Sequence, residues 1–190
     1  MPQKDILSIL PDPDISALDP DIQKYFKICE EKLGLIPNVL QVYAYKPNRL
    51  RKFMDMYNEI MLEESGLSKL EREMIAVVVS SCNRCYYCLV AHGQAVRQLS
   101  GDPELGEMMV MNYRIAPLSE RHKAMLDFAW KLTETPGVFE DEDRQKLRDA
   151  GFNESDYFDI CETISFFNYT NRMAHATEMM PNKEYHSLDR

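Results

Sequence analysis

The sequence predicts an all-α fold, and three observations carry that reading. Apolar residues recur at three- and four-residue spacing through most of the 190 residues, the period of a helix with one buried face. No stretch alternates apolar and polar residues as a half-buried strand would. Helix punctuation falls between the apolar stripes, as at Gly34, Pro47 and Pro103. A hydrophobic share of 45% beside 28% charged residues is ordinary for a soluble globular chain, and this length supports one domain with its own core.

The first twenty residues place Pro2, Pro11, Pro13 and Pro20 among Asp12, Asp14 and Asp19, which blocks helix and favours an extended arm lying on the body or on another subunit. The domain proper is then 21–190. Its first helix is marked by Ile22, Tyr25, Phe26, Cys29 and Leu33 and stops at Gly34, so Cys29 reads as core. Further helical stripes follow at 39–45, 50–61, 67–79, 85–99, 103–111, 120–133, 141–150 and 155–176. A faint repeat links the halves: at an offset of 83 residues Ala91-His92-Gly93 falls on Ala174-His175-Ala176, Glu73 on Asp156, Cys85 on Asn168 and Cys88 on Asn171. The second copy keeps the frame and loses the thiols, which makes that half scaffold and His175 a hydrogen-bonded interior residue.

Chemistry concentrates in residues 81–93, Ser-Cys-Asn-Arg-Cys-Tyr-Tyr-Cys-Leu-Val-Ala-His-Gly, which hold three of the five cysteines and one of the four histidines. On one helix Cys85, Cys88 and His92 stand at i, i+3 and i+7, a single stripe. Residues three apart have Cβ atoms roughly 5–6 Å apart, and a small adjustment in a first helical turn brings two thiols to bonding distance. Glu73 precedes Cys85 by twelve positions, about 18 Å along a continuous helix, so shared chemistry requires a bend. Val77-Val78-Val79 is a weak helix former, and Ser80, Ser81 and Asn83 are capping types. A helix ending near Ser80 and another starting near Asn83 would return Glu73 to His92. It would also put both thiols at a helix N-terminus, where the dipole favours thiolate.

These residues resemble the AhpD-like alkylhydroperoxidases of the carboxymuconolactone decarboxylase superfamily, and most closely their uncharacterised peroxidase-related branch. The shared pattern is Glu73, eleven residues, Cys85, two residues, Cys88, three residues, His92, with looser likeness over Leu35-Ile36-Pro37-Asn38, Lys46-Pro47 and on to about residue 180. The resemblance implies an all-helical fold with a degenerate internal repeat and assembly as homo-oligomers, trimers or hexamers. It implies Cys88 as the peroxide-attacking thiol, Cys85 as the resolving one, and Glu73 with His92 as a proton relay. It further implies a peroxide substrate, an external dithiol or lipoyl-type reductant, and no metal or other cofactor. One departure stands out: founding members carry a second histidine between the cysteines, where this chain has Tyr87, which can hydrogen-bond but does not shuttle protons near neutral pH.

Other readings compete with a dithiol peroxidase. The run Cys82-x2-Cys85-x2-Cys88-x3-His92 offers four metal ligands, but on one stripe they span nearly three turns, too long for a tetrahedral ion without unwinding the segment. A lactone decarboxylase or a non-catalytic oligomeric binding protein would keep the fold, but a decarboxylase has no need of two thiols. A net charge of −9 disfavours nucleic-acid or anionic-membrane partners. Met1-Pro2-Gln3-Lys4-Asp5 has no basic, then apolar, leader pattern, and the aliphatic run Ile75–Val79 is too short for a bilayer, so the expectation is a cytoplasmic protein. Cys82 reads as a bystander or packing residue. Cys161, amid Phe158, Ile160 and Ile164, reads as core. His122 and His186, without acidic or thiol neighbours in the sequence, read as surface, and the methionines as core or interface filling.

Overall fold

Local chemistry sets most helix boundaries. Proline occupies the first turn of three helices, where its missing N–H costs nothing. Ser68 and Glu71 close a reciprocal capping box, and Asn153 with Asp156 closes another. The computed structural model describes residues 3–190 and has, among them, nine α-helices and no strand. They are α1 Pro20–Leu33, α2 Asn38–Tyr43, α3 Pro47–Leu62, α4 Lys69–Cys82, α5 Tyr86–Ser100, α6 Pro103–Asn112, α7 Glu120–Glu134, α8 Asp141–Asp149 and α9 Glu154–Ala176. Each corresponds to one expected stripe, with no end displaced by more than three residues. Gly34 ends α1 in the left-handed conformation at φ 73°, which a side chain would strain.

α4 is the hub. Every residue from Glu71 to Ser80 is buried, and α5, α6, α7 and α9 pack around it. That explains Val77-Val78-Val79: burial on all sides outweighs the modest helix propensity of β-branched residues. Arg72, buried in this helix, donates from Nη1 to the carbonyls of Ile60 and Glu63 and so ties α4 to the end of α3. The helices α5 and α6 approach closely where Gly93 and Gly106 meet; a Cβ on Gly93 would fall 2.8 Å from Val110 Cγ2.

The arm runs beside the chain's own C-terminal segment. Ile9 N–H donates to Thr177 O at 2.9 Å, and Met180 N–H donates to Leu7 O at 3.0 Å. Apart from a short 3-10 turn at Ile15–Ala17, its described residues before Pro20 form no helix, and Pro2 lies outside the described residues. The segments aligned at an offset of 83 differ locally: the α4–α5 break falls on 166–168, in the middle of the unbroken α9.

Candidate active site

The break between α4 and α5 shapes the site. α4 runs two residues further than expected, to Cys82, and ends in a six-residue hydrogen-bonded turn in which Cys85 N–H donates to Ser80 O and Arg84 N–H donates to Ser81 O. Arg84 takes the left-handed position at φ 56°, usually held by glycine. The next helix therefore begins at Tyr86, with Cys85 as its N-cap residue and Cys88 in its first turn. α5 folds back on α4 and brings Glu73 and His92 together, with Nδ1 to Oε2 at 2.6 Å. A carboxylate only accepts, so Nδ1 carries the hydrogen and Nε2 is left as the reactive nitrogen. The edge of the His92 ring stands against Phe167, centroids 4.6 Å apart, which fixes its tilt.

Behind the thiols lies a polar network that sequence reasoning missed as chemistry. Asn171, wholly buried on α9, donates from Nδ2 to Ser80 Oγ at 3.0 Å and accepts from Asn83 Nδ2 at 3.0 Å. Asn83 also donates to Asn168 Oδ1. The signal was present, since the offset alignment places these two asparagines on Cys88 and Cys85. His175 holds the same turn, its Nε2 3.1 Å from Asn83 O, but it is exposed and not interior.

Both thiols are buried, and its place nearer the helix start does not bring Cys85 closer to solvent: its exposure is 1% against 3% for Cys88. Cys85 turns toward Asn171 O, while Cys88 lines a cavity of about 620 Å³ that it shares with His92 and Glu73. The rest of the cavity wall is mostly apolar, with residues such as Phe53, Met61 and Leu40, and carries polar side chains including Asn58, Gln94 and Lys69. The Cys88 thiol donates toward Cys85, and with its backbone amide this holds the Cys85 thiol down at about 7 against the opposing effect of burial. Donation to Cys85, then burial, pushes Cys88 well up.

Tyr87 stands clear of the dithiol's proton chemistry. Its hydroxyl accepts from Val39 N–H at 3.0 Å at the start of α2, and burial raises its ionisation far above neutral pH. Cys82 is half-buried at the end of α4, and among the described residues no group of three or more metal-ligating side chains assembles. Cys29 is buried as expected, on the cavity wall. Cys161 is half-buried and its neighbour Phe158 is exposed, so that end of α9 is less enclosed than its composition suggested. His122 does have an acidic neighbour in space, Glu71, at 3.8 Å.

A model of the carboxymuconolactone decarboxylase family matches residues 47–109, the span from α3 through the dithiol to α6. An uncharacterised peroxidase-related protein from Silicibacter sp. TM1040 is 58% identical, with 100% of this chain and 99% of that chain covered and a TM-score of 0.95. The chain belongs to the carboxymuconolactone decarboxylase family, in its AhpD-like branch. A second AhpD-like structure, the alkylhydroperoxidase AhpD core of a peroxidase-related protein from Ralstonia eutropha JMP134, is 36% identical, covers 98% of both chains and has a TM-score of 0.95. A debrominase in its apo form shares the fold alone, at 18% identity and a TM-score of 0.79, over 97% of this chain and 96% of that one. No match is found among curated proteins. Among the described residues no helix of this AhpD-like chain is long and apolar enough to cross a membrane.

Proposed function

We propose that the protein is a thiol-dependent peroxidase in which Cys85 and Cys88 cycle between dithiol and disulfide. One observation carries the reading: Cys88 and the Glu73–His92 pair open into the same cavity, with Cys85 directly behind. That is a nucleophile, an oriented base and a resolving thiol around one space. Charge favours Cys85 as the first thiolate, whereas access favours Cys88. Access decides, because a thiolate that the substrate cannot approach does not react.

In the first step Cys88 Sγ bonds to the terminal oxygen of a hydroperoxide and the O–O bond breaks. The leaving oxygen keeps the electron pair and takes the proton that Cys88 gave up, passed through His92 Nε2, so that thiol plus hydroperoxide becomes sulfenic acid plus alcohol. Cys85, whose thiol is held down at about 7, then attacks the Cys88 sulfur as its thiolate, and hydroxide leaves and is protonated to water. An external dithiol restores both thiols by exchange through a mixed disulfide.

The test is mass spectrometry of peroxide-treated protein together with turnover assays. Cys88→Ser should abolish peroxide consumption, and Cys85→Ser should leave a sulfenic acid trapped on Cys88. Wild-type peroxide consumption by Cys88→Ser would reject the assignment.

A further inference from the structure

The cavity has a polar end built of phenols. Tyr57 on α3 and Tyr185, from the 3-10 turn Lys183–His186, both line it, and Tyr87 joins them from α5. Among the described residues the Tyr57 and Tyr185 hydroxyls have no protein partner, and neither is one of the sealed, unpaired polar atoms, which are Tyr43 Oη and Arg72 Nε. Both hydroxyls are therefore accessible, and both residues line the cavity. Tyr57 and Tyr185 are half-buried, and both are close enough to Glu73 to feel its charge. Tyr87 likewise senses Tyr185, Tyr57 and Cys88. Because Tyr87 accepts from Val39 N–H, its own hydrogen remains free to donate. Burial keeps all three phenols protonated at working pH, hence donors.

Accessible donors without a protein partner on a mostly apolar wall are free to bind an accepting oxygen. Glu73, whose charge both phenols feel, is bonded to His92, and Cys88 lines the same cavity. We propose that Tyr57 and Tyr185, with Tyr87 beside them, hold the leaving oxygen of a bulky organic hydroperoxide by hydrogen bonds while its apolar body fills the rest of the cavity. This rests on the peroxidase reading. As the O–O bond breaks, negative charge gathers on the leaving oxygen before the His92 proton arrives, and fixed donors at that point stabilise it. The phenols are not consumed, and the atom balance is that of the step above. They supply the polar contact to substrate that Tyr87, lacking a histidine's proton chemistry, cannot supply as a relay. The ligand class is an apolar molecule with one accepting oxygen.

The experiment uses two probes of nearly equal shape, cumyl alcohol and cumene, with the full chain in its reduced form. Calorimetric binding should favour the alcohol over the hydrocarbon by about tenfold, and Tyr57→Phe with Tyr185→Phe should bring the ratio near one. With cumene hydroperoxide the double variant should lose roughly ten- to a hundredfold in kcat/KM, while a small aromatic disulfide still oxidises Cys85 and Cys88 at the wild-type rate. Circular dichroism and the thermal midpoint report whether the variant is folded, and each single variant should show part of the loss. An unchanged alcohol preference in the double variant overturns the inference, as does a wild type that binds both probes equally. If wild type discriminates through the phenols but consumes no hydroperoxide, the acceptor site stands and the peroxidase reading falls.

Discussion

At the scale of single residues, two thiols sharing one helix start compete for one negative charge. The Cys88 thiol stabilises the Cys85 thiolate by donating to it, and the same bond makes Cys88 harder to ionise. Thiolate absorbance should therefore titrate with a midpoint near 7, assigned to Cys85 by its loss in Cys85→Ser. Cys88→Ala, which removes the first cause of the depression, should move that midpoint up toward the ordinary 9.0. A midpoint that stays near 7 in Cys88→Ala would leave the helix start, not the partner thiol, as the cause. The shift also enters stability. Because the folded value of Cys85 is depressed, its contribution is present in full above about pH 9 and is lost as pH falls through about 7. Cys88, raised in the folded state, works the other way at high pH, so the dithiol's net gain is confined to that window. Glu73→Gln belongs at this scale too. It weakens the charge that orients His92, and should slow peroxide turnover by about 10²-fold or more while a small disulfide oxidant still forms the Cys85–Cys88 bond.

At the scale of elements, the α4–α5 turn decides whether the site exists. Arg84 holds φ 56° without a glycine's freedom, a conformation costing roughly 1–2 kcal/mol for an L side chain. Arg84→Gly should leave the fold intact and raise stability by up to about 1 kcal/mol, and Arg84→Val should lower it by about 1–2 kcal/mol, as read by denaturant midpoints. If Arg84→Gly is strongly destabilising, the arginine side chain and not the backbone is what matters there. The need for this turn was legible from spacing, because Glu73 and Cys85 would lie about 18 Å apart along a continuous helix. Its register was not. Ser80, Ser81 and Asn83 pointed to an earlier stop, but burial of Ser80 and its bond from Asn171 keep the helix running to Cys82. Helix existence was legible throughout, since periodic burial and proline or glycine punctuation are local signals. The Ser80–Asn171–Asn83 network was not, because it joins residues up to 91 positions apart that have no pattern of their own. The phenol end of the cavity was hidden for the same reason: Tyr57, Tyr87 and Tyr185 come from three elements, and Tyr185 lies in a tail without periodicity.

At the scale of the molecule, assembly is the open prediction, and the structure moves where it should be sought. The expected arm contacts with another subunit have a competitor, since Leu7 and Ile9 bond along residues 177–180 of their own chain, and Lys4 and Asp5 pair with Glu178 and Lys183. Large apolar side chains remain uncovered elsewhere. Met111, in the last turn of α6, is 83% exposed, and Ile115, in the turn that follows, 65%. Single exposed apolar residues are ordinary, but two at one helix end make a better subunit contact than an arm already paired within its own chain. Light scattering at low micromolar concentration should give the mass of a trimer or hexamer. Met111→Lys with Ile115→Lys should shift the population toward monomer without lowering helical content, because neither side chain supports the core. Removing residues 1–14 should instead lower thermal stability, through loss of the pairing with the C-terminal segment, and leave the assembly mass per chain count unchanged. A wild-type monomer mass would remove the oligomer altogether. A double variant that stays fully assembled would return the interface to another face of the helical body.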